Sequence, residues 1–239
     1  MSTHTEAERT TENLLRWIEQ GGAKLSRFHV VSLGGGERGI QAREDIAPDE
    51  TLMSIPRRFV LTVDDVRSSE IGKLLEAHAQ FDDERTYLFA FLLQEQERGE
   101  ASFWKPFVDS LPKSFPTLPY YFNEQEVSLL QGSFLKDMVE AQRQTLRIRY
   151  DHLCEVVPGF NRFSLEDFVW AHHAVLSRTF AIKQNGLMVA CLVPLADMIN
   201  DGRPWDTHWG LTAGGTHFHL RSLSPVSGVA ERVPATISP

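Results

Sequence analysis

The chain is poor in cysteine, with two in 239 residues, Cys154 and Cys191. Two thiols that far apart have no metal-ligand spacing and build no disulfide framework, so they read as small core residues of a chain kept in a reducing compartment, cytoplasmic or nuclear. Positive charge is also short. Lysine and arginine number 24 against 32 acidic residues, a net charge of -8, which removes the electrostatic basis for a broad grip on nucleic acid and leaves room only for a local basic cleft. No apolar run reaches membrane-spanning length, and residues 1–9 are polar and acidic, unlike a secretory or transit peptide, so no membrane partner is expected. The glycine cluster Gly34-Gly35-Gly36 with Gly39 lacks the Lys-Ser/Thr of a phosphate-binding loop, and no helical pattern follows it. Tyrosine occurs four times, at Tyr87, Tyr120, Tyr121 and Tyr150, and never beyond Asn200. A chain of this length buries one core, or one core with a helical insertion, and is expected to be a monomer.

Helical and strand periods alternate along what is there. Residues 11–20 put Leu14, Leu15 and Ile18 on one side of a short helix that Gly21-Gly22 ends. Residues 28–62 read as short strands: Phe28 and Val30 before the glycine loop, a second strand from Gly39, a turn at Pro48-Asp49, and a third apolar run over 52–56. Residues 64–157 are mostly helical. Residues 87–93 are apolar on every face, the mark of a fully buried helix, and Gly99 stops it. Asn123 and Glu126 have the spacing of a capping box, Gly132 breaks the helix they start, and a longer one runs over 134–157 to Pro158-Gly159. The charge run 143–151 is expected to be a solvated face. Ser164 and Asp167 open another helix that ends at residues 177–180, and within it His172 and His173 are adjacent, so they should point apart and not share a metal. Residues 187–193 read as a short buried strand stopped by Pro194. Residues 216–223 alternate, with His217, His219 and Arg221 on one face, expected to be solvated, and Phe218 and Leu220 on the other. Two histidines two apart on a strand can bind zinc, but no third ligand is evident, so no metal site is expected.

The stretch Leu192-Val193-Pro194-Leu195-Ala196-Asp197-Met198-Ile199-Asn200-Asp201 places a polar pair behind an apolar run. Buried polar side chains need specific partners; Asp197 and Asn200 either brace a turn or belong to a site. Arg178, held between two apolar segments, is open to the same two readings. The stretch resembles the L-V-P-x-x-D-x-x-N-H signature of SET-domain protein methyltransferases in the RuBisCO large-subunit methyltransferase-like branch, with Asp201 at the histidine. The family's opening phrase, G-x-G followed by A-x-x-D-I-x-x-G-E-x-L-x-x-I-P, is matched by Glu37-Arg38-Gly39-Ile40, Ala42, Asp45-Ile46, Glu50, Leu52 and Ile55-Pro56, with Glu37 and Asp49 replacing glycines. Ser102-Phe103-Trp104-Lys105-Pro106-Phe107, Leu111-Pro112, Leu130-Gln131-Gly132-Ser133 and Ser177-Arg178-Thr179-Phe180 resemble further phrases of the branch, so the likeness runs over roughly residues 28–223.

The resemblance implies an α+β fold: a SET domain of short β-strands with a large inserted helical subdomain, incomplete at the C-terminus. The segments would be an N-terminal helix (1–25), the first part of the SET domain (26–63), the insertion (64–170), the second part (171–224) and a divergent tail (225–239). It implies S-adenosyl-L-methionine as cofactor and a protein substrate, through a lysine side chain or alternatively a histidine. Arg38, Gly39 and Ile40 would lie along the methionine part, Arg178 would brace its carboxylate with Asp197 in the same set, Asn200 would hold the methionine portion and Asp201 the adenine. Transfer needs the sulfonium methyl in line with a neutral nitrogen, so positioning is most of what the protein adds. The family's x-x-G-E-x-x-x-x-Y-G motif, which carries the catalytic tyrosine, has no counterpart; the chain instead runs Pro225-Val226-Ser227-Gly228 to Pro239. No catalytic residue is therefore assigned. The expectation is a truncated or frame-altered enzyme departing from the pattern at about residues 224–228, with a non-catalytic cofactor- or peptide-binding protein as the alternative.

Overall fold

The computed structural model describes residues 5–25, 27–34, 37–81, 83–199 and 207–226. Helix α1, Glu6–Gln20, starts well before residue 11, where apolar spacing alone puts its beginning, because Thr5 and Glu8 close a capping box. Its face buries Leu14 and Ile18, while Leu15 is half-buried. Gly21 follows because a Cβ there would stand 2.0 Å from the Phe59 ring.

Strands β1, Phe28–Gly34, and β2, Glu37–Ala42, pair antiparallel, with Val31 opposite Gly39 and Ser32 opposite Arg38. Asp49 has φ 63 before β3, Thr51–Pro56. Left-handed backbone suits glycine, and aspartate is among the residues that tolerate it, which accounts for Asp49 where the family phrase has glycine. Then come β4, Leu61–Thr62, and helices α2, Val63–Arg67, α3, Glu70–His78, α4, Arg85–Arg98, α5, Lys105–Ser110, α6, Glu124–Ser128, α7, Phe134–Val156, and α8, Leu165–Leu176. Capping boxes open α6 at Asn123 and α8 at Ser164, and every residue from Thr86 to Glu95 in α4 is buried. The chain ends its described part in β5, Thr179–Gln184, β6, Leu187–Leu192, β7, Thr207–Leu211, and β8, His217–Ser222. The sheets are β1-β2, β3-β8-β7 and β4-β6-β5.

Proximity along the backbone groups the chain into two units: residues 1–64, 100–110 and 178–239, which hold the strands, and residues 65–99 and 111–177, which are helical. Among the described residues no helix is long and apolar enough to cross a membrane.

Several expectations are corrected. Residues 177–180 do not simply end α8; Thr179 begins β5, which pairs with β6 across Asn185-Gly186, both at positive φ (51 and 85). Asn-Gly with two left-handed residues is the turn that matches strand twist in a two-residue hairpin. The tip projects, so the buried strand expected over 187–193 is buried only at its far end, with Leu187 and Met188 exposed. Arg143 is no solvated charge: it donates to the Tyr120 and Phe122 carbonyls and lies over the Tyr120 ring. His172 and His173 are both buried with their rings in edge contact at 5.2 Å, because the helix is enclosed on more than one side. The β8 face carrying His217, His219 and Arg221 is half-buried, and neither ring nitrogen of His219 has a partner among the described residues.

Candidate functional site

The first unit brings β2 against the short 3-10 turn Ala196–Met198. Sequence places these segments far apart, and the fold brings them together across two separate sheets. Thr179 pairs with Leu192 at the ends of β5 and β6, so Arg178, one residue outside that ladder, stands beside the chain as it leaves β6. Val193, Leu195 and Ala196 are fully buried there. Leu195 takes φ 72 and ψ -42, a sparsely populated conformation costing about 1–3 kcal/mol that tight packing must hold.

That packing serves a polar contact. Arg178 Nη1 donates to Asp197 Oδ2 at 2.8 Å and to the Asp197 carbonyl at 3.2 Å. The side chains are 16% and 2% exposed, so removing either partner would strand a buried charge and cost more than the loss of a surface ion pair. Arg178 Nε and Asp197 Oδ1 are also buried and have no hydrogen-bond partner among the described residues. One unused donor and one unused acceptor on a single ion pair form a pattern that buried groups rarely tolerate.

Arg38 approaches from β2. Its Nη1 donates to Thr11 Oγ1 at 2.8 Å and its Nη2 to the Ser110 carbonyl, tying β2 to α1 and α5. Burial holds its guanidinium below the ordinary arginine value, Arg178 pushes the same way, and Asp197 opposes them. Gly39 and Ile40 follow, both buried. Arg38, Gly39, Ile40, Arg178 and Asp197 thus meet in one unit as two guanidinium groups about one carboxylate. Asn200 and Asp201 lie outside the described residues.

The four tyrosines lie in the helical unit. Tyr87 donates to Glu76 at 2.6 Å, Tyr150 to the Phe163 carbonyl at 2.7 Å, and Tyr121 shares a 3.1 Å hydrogen bond with His173 Nδ1. Burial is the first cause that pushes each of these three phenols up to about 12, and Tyr120 is raised by burial too. Tyr87 and Tyr150 thus donate to local partners, and Tyr121 is held to His173.

The fold has close counterparts of known structure. The SET domain of LSMT bound to lysine and AdoHcy superposes with a TM-score of 0.82, covering 96% of this chain and 54% of that one at 22% identity. Rubisco LSMT bound to AdoMet gives 0.78, covering 96% and 53% at 24% identity. The chain has a SET-domain fold. In this SET fold the expected mixture of short strands and a large helical segment is present. No protein-family model matches the sequence. Curated relatives do: the actin-histidine N-methyltransferases of Otolemur garnettii, 29% identical over 200 residues, and of Homo sapiens, 28% over 200, each alignment covering 79% of this chain and 33% of the relative. The chain spans about a third of the length of the curated relatives it matches.

Sequence reasoning missed two parts of this SET-fold site. Thr11 and Ser110 hold Arg38, and the signal available for Thr11 was a polar residue one helical turn before Leu14 on the buried face of α1. The backbone strain at Leu195 had no signal, since leucine gives no warning of a positive φ.

Proposed function

We propose that the chain is an S-adenosyl-L-methionine-dependent protein methyltransferase acting on a lysine or histidine side chain. The observation that carries the reading is the Arg178–Asp197 pair with its unused buried donor and acceptor, on a turn that packs against β2. An amino-acid end, with carboxylate and ammonium on one carbon, complements that pattern: the carboxylate suits Arg178 and the ammonium suits Asp197 Oδ1. Two guanidinium groups against one carboxylate leave a net positive charge to be met by an anion. The residues fit the methionine part of the cofactor.

When bound, S-adenosyl-L-methionine supplies a methyl group on a sulfonium. The chain's own residues hold and aim it. Arg178 would brace the carboxylate, and Asp197 would orient Arg178 while accepting from the ammonium. The backbone of Arg38, Gly39 and Ile40 would run along the methionine portion, Gly39 admitting close approach for want of a side chain. Asn200 and Asp201 complete the assignment for the methionine portion and the adenine. The acceptor nitrogen must be neutral, which histidine is at pH 7 and lysine is only after losing a proton. We assign residues 26–63 and 171–224 to the cofactor-binding part and 64–170 to the insertion. A reducing compartment, cytoplasm or nucleus, fits a chain in which Cys154 and Cys191 form no disulfide, and we take the chain to be a monomer.

Calorimetric titration with S-adenosyl-L-methionine, followed by transfer of labelled methyl to actin and to lysine- and histidine-containing peptides, tests this. Binding should be saturable and should weaken at least tenfold in Arg178→Met, the loss of a charge-assisted hydrogen bond. No binding by the wild-type chain overturns the reading; binding with no transfer to any peptide identifies a non-catalytic binder instead.

A further inference from the structure

A cavity lies wholly within the helical unit, among the segment before α4, helix α7 and helix α8, with a volume of about 270 Å³. Its floor is Phe81, Leu153 and Phe168, and its polar wall is Arg149, His152 and Asp83. Leu153 and Phe168 are 2% and 1% exposed, so the floor is part of the core and keeps its shape.

The polar wall is unbalanced. Asp83 spends both carboxylate oxygens on Arg85: Oδ1 accepts from Arg85 Nε at 2.8 Å and from its backbone N–H at 3.0 Å, and Oδ2 accepts from Nη2 at 3.0 Å. Arg149 therefore has Asp83 only through space: burial pushes the Asp83 carboxyl up, the Arg85 hydrogen bonds and charge outweigh that and hold it below its ordinary value, and Arg149 adds least to the lowering. No hydrogen bond or ion pair holds the Arg149 guanidinium among the described residues. His152 stands one turn further along α7 on the same wall.

A buried group outside the cavity is also unused. His172, four residues beyond Phe168 on α8, is 5% exposed, and its Nδ1 has no partner among the described residues. It does not line the cavity; the Phe89 ring lies against both His172, at 4.9 Å, and the floor residue Phe168, at 6.5 Å. Its ring neighbours, Phe89 and His173 at 5.2 Å, offer its Nδ1 no hydrogen bond.

We propose that this cavity binds a small amphiphilic carboxylate, an aromatic or branched aliphatic acid of about ten non-hydrogen atoms. Its apolar body fills the space over Phe81, Leu153 and Phe168. Its carboxylate takes the guanidinium of Arg149, flanked by His152. A neutral ligand of the same shape leaves Arg149 unpaired, and a cation meets an excess of positive charge. The site is separate from the Arg178–Asp197 pair and does not depend on the function proposed for it.

The test is a titration of the full chain, labelled with nitrogen-15 in histidine, with 3-phenylpropionate and with its neutral amide. The His152 and His172 ring resonances should move saturably with the acid, with a dissociation constant of about a millimolar or tighter. The amide should bind at least tenfold more weakly, and Arg149→Met should bring the acid down to the affinity of the amide. Arg147→Met, an exposed neighbour on the same helix paired with Asp151, should leave acid binding unchanged, and a thermal melt establishes that each variant is folded. Failure to saturate, equal affinity for acid and amide, or an unaltered affinity in folded Arg149→Met overturns the proposal.

Discussion

A histidine enclosed by aromatic rings and near two arginines gains little from a proton. His172 is in that position: burial first, then His173 and Arg149, pull its pKa from 6.5 down to about 4. The unfolded chain therefore binds the proton more readily than the folded one between those values, and stability must fall as pH falls through that window. The contribution is fully present above about 6.5 and is lost towards 4. Between pH 7.5 and 5.0 the share from His172 is about 2 kcal/mol. His173, also lowered by burial, adds in the same direction, so the variant His172→Phe should flatten the acid slope without removing it. Urea unfolding of both proteins at the two pH values measures the difference, and equal slopes would show that His172 is already charged in the folded state. Nothing in the sequence announced this residue beyond a histidine pair on an apolar helix. Arg178 and Asp197 were legible because polar residues interrupt apolar runs there, but which oxygen met which nitrogen needed the fold.

Turns show why some elements were readable and others were not. The capping boxes at Asn123 and Ser164 announce α6 and α8 by a local pattern that satisfies the first backbone N–H groups. The Asn185-Gly186 hairpin carries an equally local signal, and it passes unread because the strand before it, Thr179–Gln184, is short and mixed in polarity. Two glycines separate backbone conformation from crowding. Gly186 has φ 85 with open space around the position of a Cβ, whereas a Cβ on Gly72 would lie 1.8 Å from the Val66 carbonyl oxygen. Gly186→Ala should therefore cost about 1–2 kcal/mol, the strain of a left-handed residue alone. Gly72→Ala should cost more, about 3 kcal/mol, because the α2–α3 corner must open. Denaturant unfolding gives both values; an equal cost would mean that the corner yields freely.

At the scale of the molecule, the order of short strands, long helical stretch and short strands was legible because strand and helix periods differ, and the family phrases fell in that order. What the sequence leaves unsaid is that residues 100–110 return to the strand-bearing unit, where the Ser110 carbonyl meets Arg38. A single short helix carries no mark of the partner it will join. The division into two units makes the cofactor assignment testable without any enzymatic assay. A ligand that binds only the folded state stabilises it by about 2.7 kcal/mol at a hundredfold excess over its dissociation constant, and amides that exchange by local opening near the ligand slow the most. With S-adenosyl-L-methionine, hydrogen exchange should slow in β2, around Arg178 and over the Ala196–Met198 turn, while amides of α4 and α8, in the helical unit, slow less. Protection strongest in α4 and α8 would place the cofactor in the other unit, and would leave the unused Arg178 and Asp197 atoms without the ligand they are proposed to hold.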